Sequence, residues 1–157
     1  MKIRDLLTTD KIISELKGKT KEDVINELVD LYKGDDRVID LEKIRTSVIE
    51  REKIMSTGVG KGFAIPHAKT LATREILVAF GRLLKPIEFE ALDEQPVNLV
   101  FLIIGKENMV GPHIKLLSRI SRMMSKDAFR EALANAKDSE EIYEIFAEEE
   151  KNYLDNN

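Results

Sequence analysis

Val97-Asn98-Leu99-Val100-Phe101-Leu102-Ile103-Ile104 is apolar at every position except Asn98. A strand with one wet face alternates apolar and polar side chains, so this near-continuous run predicts a strand covered on both faces. Its apolar part, Leu99 to Ile104, is far too short to cross a bilayer. Working outward, Phe63 to Ile65 and Ile76 to Leu83 are further short apolar runs bounded by Gly, Pro or charged residues. Ile12 to Leu16 adds an early strand.

The cover for such a sheet is legible on both sides of it. Thr20 reads as a helix N-cap, with Asp23 at the capping-box distance, then Val24, Leu28 and Leu31 at helical spacing and Gly34 as a stop. Asp40 caps a second helix from about Leu41 to Arg51, with Ile44 and Val48 facing inward. After the strands, Pro112 suits a first helical position, and Leu116, Leu117, Ile120, Met123 and Met124 form one apolar stripe. Asp127 starts a short helix through about Ala134, and Asp138 caps a final one that buries Ile142, Ile145 and Phe146. Helices before and after a set of strands predict an α/β fold: a single layered domain, residues 1–157, with a mixed β-sheet flanked by helices.

Composition narrows the function classes. Hydrophobic residues are 43% and charged residues 34% of 157, an ordinary globular balance, and the net charge of −4 argues against broad electrostatic binding to nucleic acid or membrane. Absence of cysteine removes disulfides, thiolate metal sites and cysteine nucleophiles together. No signal peptide or spanning segment is visible, so a cytoplasmic protein without membrane insertion is expected.

Two histidines carry the chemical interest. His67 follows Gly58-Val59-Gly60-Lys61-Gly62, whose glycines offer backbone N–H groups to an anion, and then the strand Phe63 to Ile65. Pro66 ends that strand and leaves His67 at its edge, where ligands commonly bind in α/β sheets. His113 stands in the first turn of the helix opened by Pro112, close to the positive end of its dipole, and shares a face with Leu117, Ile120 and Met124. Arg51 ends the second helix; it either caps that C-terminus or offers a guanidinium fork to a phosphoryl group. Gly60-Lys61 superficially resembles a nucleotide-binding loop, but that pattern needs Gly at 55 and Ser or Thr at 62, where Met55 and Gly62 stand. Two histidines among scattered carboxylates lack metal-ligand spacing, so no metal and no cofactor are expected. Lys115, Arg119, Arg122 and Lys126 form a basic stripe on one side of the His113 helix, read as a solvated face or a docking surface for an acidic partner.

The run Arg51-Glu52-Lys53-Ile54-Met55-Ser56-Thr57-Gly58-Val59-Gly60-Lys61-Gly62-Phe63-Ala64-Ile65-Pro66-His67 resembles the signature of phosphotransferase-system enzyme IIA domains of the fructose/mannitol class. Pro86-Ile87-Glu88-Phe89, Ala91-Leu92-Asp93-Glu94-Gln95-Pro96-Val97 and His113-Ile114-Lys115-Leu116-Leu117 follow in the family's order, and the similarity spans about residues 3 to 148. The wording leans toward the fructose and nitrogen-regulatory branches. The resemblance implies a phosphotransferase with a phosphohistidine intermediate: His67 the acceptor, Arg51 and His113 its companions, Ser56 and Thr57 phosphate-binding hydroxyls. It also implies the phosphocarrier protein HPr as donor, and a IIB domain or a regulatory target protein as recipient.

Overall fold

The computed structural model describes residues 1–155; residues 156–157 of the expected domain lie outside the described residues. A short helix α1 (Ile3–Leu6) and strand β1 (Ile12–Ile13) precede helices α2 (Lys21–Asp30) and α3 (Leu41–Ile54). Strands β2 (Gly58–Gly60), β3 (Phe63–Ala64), β4 (His67–Thr70), β5 (Leu77–Ile87) and β6 (Val97–Lys106) follow, then α4 (Val110–Met124), α5 (Asp127–Asn135) and α6 (Ser139–Asp155). The caps are where the sequence puts them. Thr20 accepts from the Asp23 amide, Asp40 from Lys43 and Asp138 from Glu141.

The sheet is mixed, in the order β1-β5-β6-β3-β2, with β4 also paired to β6. β6 lies antiparallel to β5 and parallel to β3 and β4. Its alternating side chains enter two cores. Leu99, Phe101 and Ile103 pack with Phe80, Phe129 and Phe146 beneath α4, α5 and α6. Val100, Leu102 and Ile104 pack with Val24, Leu28, Tyr32, Ile44 and Val48 beneath α2 and α3. A strand buried on both faces has no polar alternation to show, which is why the run is so uniformly apolar.

Five expectations need correction. β3 does end before Pro66, but His67 is not left at a bare strand edge: it opens β4, which pairs with the next part of β6, Phe63 lying opposite Leu99 and His67 opposite Ile103. α3 runs past Arg51 to Ile54, and α4 starts at Val110, so Pro112 is its third residue. The early strand shrinks to Ile12 and Ile13. The basic stripe is largely an interhelix seam. Arg119 bonds to the Met1 carbonyl and to Glu150, Arg122 to the Tyr153 hydroxyl, and Lys126 to Glu149.

Candidate functional site

β4 begins with His67, and its register fixes the surroundings. His67 lies opposite Ile103 and Lys69 opposite Gly105, so both side chains leave the sheet on the α4 side. Gly105 has no side chain at that place, and the His113 ring occupies the space. A Cβ on residue 105 would come within 2.2 Å of His113 Nδ1. The two imidazoles stand 5.7 Å apart between centroids. His113 is only 4% exposed, as its shared face with Ile120 and Met124 implied, and its Nδ1 has no hydrogen-bond partner among the described residues.

Arg51 approaches from α3. Its Nη1 donates to the Met55 carbonyl at 2.7 Å, so the helix-capping role read from sequence is real. One edge of the guanidinium holds the end of the helix while the residue also borders the cleft. That cleft, of about 510 Å³, lies between α3, β4 and α4 and is lined by Arg51, Ile54, His67, Lys69, His113 and Ile114 among others. A second, smaller hollow of about 200 Å³ on the other side of His67 is lined by Arg51, Ser56, Thr57 and Leu92.

The hydrogen bonding of His67 decides its chemistry. Nδ1 lies 2.8 Å from the Ile65 carbonyl oxygen, which can only accept. The neutral ring therefore carries its proton on Nδ1 and keeps a free lone pair on Nε2. Burial pushes the His67 pKa below its ordinary value; the Ile65 bond opposes this, and Arg51 and Lys69 add to it. Burial, with His67 and Lys69 beside it, pushes His113 down to about 4. Both rings are neutral at pH 7; Arg51 and Lys69 are the cations of the site, while Glu50 also lines the cleft and Glu52 acts on His67 in the opposite sense.

The turn before β2 departs from expectation. Ser56 Oγ donates to the Phe89 carbonyl at 2.7 Å, and Thr57 Oγ1 donates to Glu52 at 2.5 Å. Both hydroxyl protons are thus committed to protein acceptors, and neither is free for a phosphoryl oxygen in this geometry. The glycine run is likewise a stapled hairpin and no open anion cradle. The Gly58 amide donates to Ser56 Oγ, and the Lys61 amide to Asp93. Gly58 is needed for close approach, since a Cβ there would fall 2.8 Å from that of Ala91. Gly60 and Gly62, at φ of 124° and 85°, take the left-handed turn around Lys61.

Three participants were invisible as such in the sequence. Glu52 is 3% exposed although charged, and accepts both the amide and the hydroxyl of Thr57. The signal was available: Ile44, Val48 and Glu52 follow one another at i, i+4 on the inward face of α3. Lys69 and Gly105 are set by strand register, which single-sequence patterns do not reveal. Among the described residues, no group of three or more His, Cys, Asp or Glu could hold a metal ion, and no helix is long and apolar enough to cross a membrane.

Comparison with known proteins places this arrangement. Residues 5–149 match the family model for the phosphoenolpyruvate-dependent sugar phosphotransferase system, EIIA 2. The chain is 36% identical over 151 residues to the PTS system fructose-specific EIIABC component of Bacillus subtilis, matching over 96% of its own length and spanning 24% of that protein. It is 34% identical to a nitrogen regulatory protein of Bradyrhizobium diazoefficiens, covering 94% of this chain and 95% of the other. The crystal structure of nitrogen regulatory protein IIA-Ntr from Neisseria meningitidis superposes with a TM-score of 0.86 at 29% identity, over 92% of this chain and 98% of that one. An α/β sheet closed by these helices, the two facing histidines and the match over nearly the whole chain lead to one assignment: the chain belongs to the phosphotransferase-system EIIA 2 family.

Proposed function

We propose that this chain is a cytoplasmic phosphohistidine carrier that takes a phosphoryl group from phosphorylated HPr onto Nε2 of His67 and passes it to a IIB domain. The observation that carries this reading is the Nδ1 bond from His67 to the Ile65 carbonyl, which presents Nε2 as the nucleophile between Arg51 and His113. In the transfer, the Nε2 lone pair forms the new N–P bond as the donor's N–P bond breaks, and that bonding pair returns to the donor ring. The His67 ring keeps its Nδ1 proton and gains positive charge, which the Ile65 carbonyl stabilises. Arg51, Lys69 and His113 stabilise the phosphoryl oxygens. Ser56 and Thr57 contribute the shape of the turn that presents the site.

The rim suits a protein donor and acceptor. Ile54 is 81% exposed, Leu92 72% and Ile114 56%, all beside the two hollows that flank His67. Exposed apolar side chains ringing a polar centre mark a docking surface, which is what a phosphoryl group passed between proteins requires.

A regulatory reading stands beside this one, favoured by the match along almost the full length of a nitrogen regulatory protein. In it, phosphorylation of the same histidine controls binding to a target protein. Incubation with phosphoenolpyruvate, enzyme I and HPr, followed by intact mass and acid lability, tests what the two readings share. One acid-labile phosphate is expected on wild type and none on His67→Ala; a fully phosphorylated variant would refute the site. Onward transfer to a IIB domain then indicates transport, and target binding lost on phosphorylation indicates regulation.

A further inference from the structure

Glu52 is buried one residue from Arg51 and has no partner in the phosphoryl chemistry described above. Its nearest cation, Lys21, is 3.6 Å away and is held closer, at 2.9 Å, by Glu90. What the carboxylate does hold is the Thr57 turn: Oε2 accepts the Thr57 amide at 2.8 Å and Oε1 its hydroxyl at 2.5 Å. From Thr57 the bonding continues toward the site. The Thr57 carbonyl accepts from the Ile65 amide at 3.0 Å, and the Ile65 carbonyl accepts from His67 Nδ1 at 2.8 Å. In the other direction, the segment that Glu52 closes on Thr57 contains Met55, whose carbonyl grips Arg51 Nη1. One buried carboxylate thus ties down both the cation and the nucleophile.

We propose that Glu52 is a positioning residue for phosphoryl transfer, fixing the Arg51 guanidinium and the Nδ1–H tautomer of His67 through the Thr57 turn. The proposal rests on His67 being the phosphoryl acceptor. Glu52 never meets the phosphoryl group, and its charge alone would repel one. Its contribution is geometric: α3 ends in an extended residue, Met55, and Glu52 ties the stretch after it back to α3, while the Ser56 hydroxyl anchors it to the Phe89 carbonyl. A side-chain oxygen acceptor is needed because two donors, the Thr57 amide and hydroxyl, converge on it in a buried place.

The test compares wild type with Glu52→Ala, Glu52→Gln and Thr57→Val, using transfer from phosphorylated HPr and ¹⁵N NMR of the His67 ring. Glu52→Ala is expected to lower kcat about tenfold with KM for phosphorylated HPr unchanged, since orientation and not docking is lost. The ring should become a mixture of tautomers. Glu52→Gln, whose amide oxygen still accepts from Thr57, should restore most of the rate and the Nδ1–H form. Thr57→Val removes only the hydroxyl half of the clamp and should fall between them, which decides the matter if Glu52→Ala does not fold. A folded Glu52→Ala with wild-type kcat and a pure Nδ1–H ring would overturn the proposal. So would a Glu52→Gln variant as slow as Glu52→Ala with its tautomer intact, because charge would then be at work. If wild type itself accepts no phosphate, the phosphocarrier reading fails, and the tautomer measurements still decide the role of Glu52.

Discussion

At the scale of single residues, the two histidines of the candidate site are kept neutral in different ways. His67 holds its proton on a carbonyl, while His113 is enclosed with an unpartnered Nδ1 and pushed down to about 4. Titration followed on the ring C–H signals should place the His113 midpoint near 4 and that of His67 below the ordinary 6.5. Phosphoryl acceptance needs the Nε2 lone pair, so its rate should be flat above neutrality and fall as pH drops through the depressed His67 midpoint. The same shifts govern folding. An unfolded chain takes up the His113 proton near 6.5 and the folded one only near 4, so stability is complete above about 6.5 and is lost as pH falls toward 4. Replacing His113 by Gln should flatten urea-unfolding stability across that window; an unchanged slope would place the dependence elsewhere. His67, His113 and Arg51, which the fold brings around one cleft, could each be picked out in the sequence, Arg51 and His67 from a single local run. Glu52 was not, because a charged side chain on an inward face gives no hint of what satisfies it.

At the scale of elements, the helices were easier to read than the strands. Thr20, Asp40 and Asp138 announce their helices through short-range capping bonds. β4 is His-Ala-Lys-Thr, polar at three of its four positions, and becomes a strand only because β6 lies beside it. β2 is Gly-Val-Gly and owes its place to its hairpin with β3. The least expected residue is Arg82, in mid-strand on β5 and 6% exposed. Its guanidinium donates to the carbonyls of Ser14, Leu133, Ala134 and Ala136, closing the C-terminal end of α5 against β5. A cation at a helix C-terminus complements the dipole, and it reinforces the bond that the Ala136 amide makes to the Leu133 carbonyl at 3.4 Å. Arg82→Met should therefore cost about 2–4 kcal/mol by stranding buried acceptors, seen as a thermal midpoint lower by roughly 5–15 °C. A smaller change would mean that water replaces the guanidinium.

At the scale of the whole molecule, residues distant in sequence are joined through Glu150. Fully buried on α6, it accepts from the amides of Ile3 at 2.6 Å and Arg4 at 3.1 Å, and pairs with Arg119 of α4 at 3.3 Å. Glu150→Ala would leave the Ile3 and Arg4 amides without their acceptor and Arg119, which keeps the Met1 carbonyl, without its counter-charge, and should destabilise the fold by about 3 kcal/mol. In urea this should appear as an earlier midpoint with unchanged slope; two separate transitions would instead show that α1 and α6 detach on their own. Such long-range ties leave no periodic mark, and so the layers could be read from the sequence but not the bonds between them. The placement of His67 has its own result. Its peptide unit begins a strand laced to β6, and β6 is buried on both faces, so adding phosphate cannot move the backbone without unpicking the sheet. On the proposed chemistry, the charged and uncharged forms of the carrier then share one shape, and a partner that tells them apart does so by sensing two negative charges held beside Arg51 and Lys69.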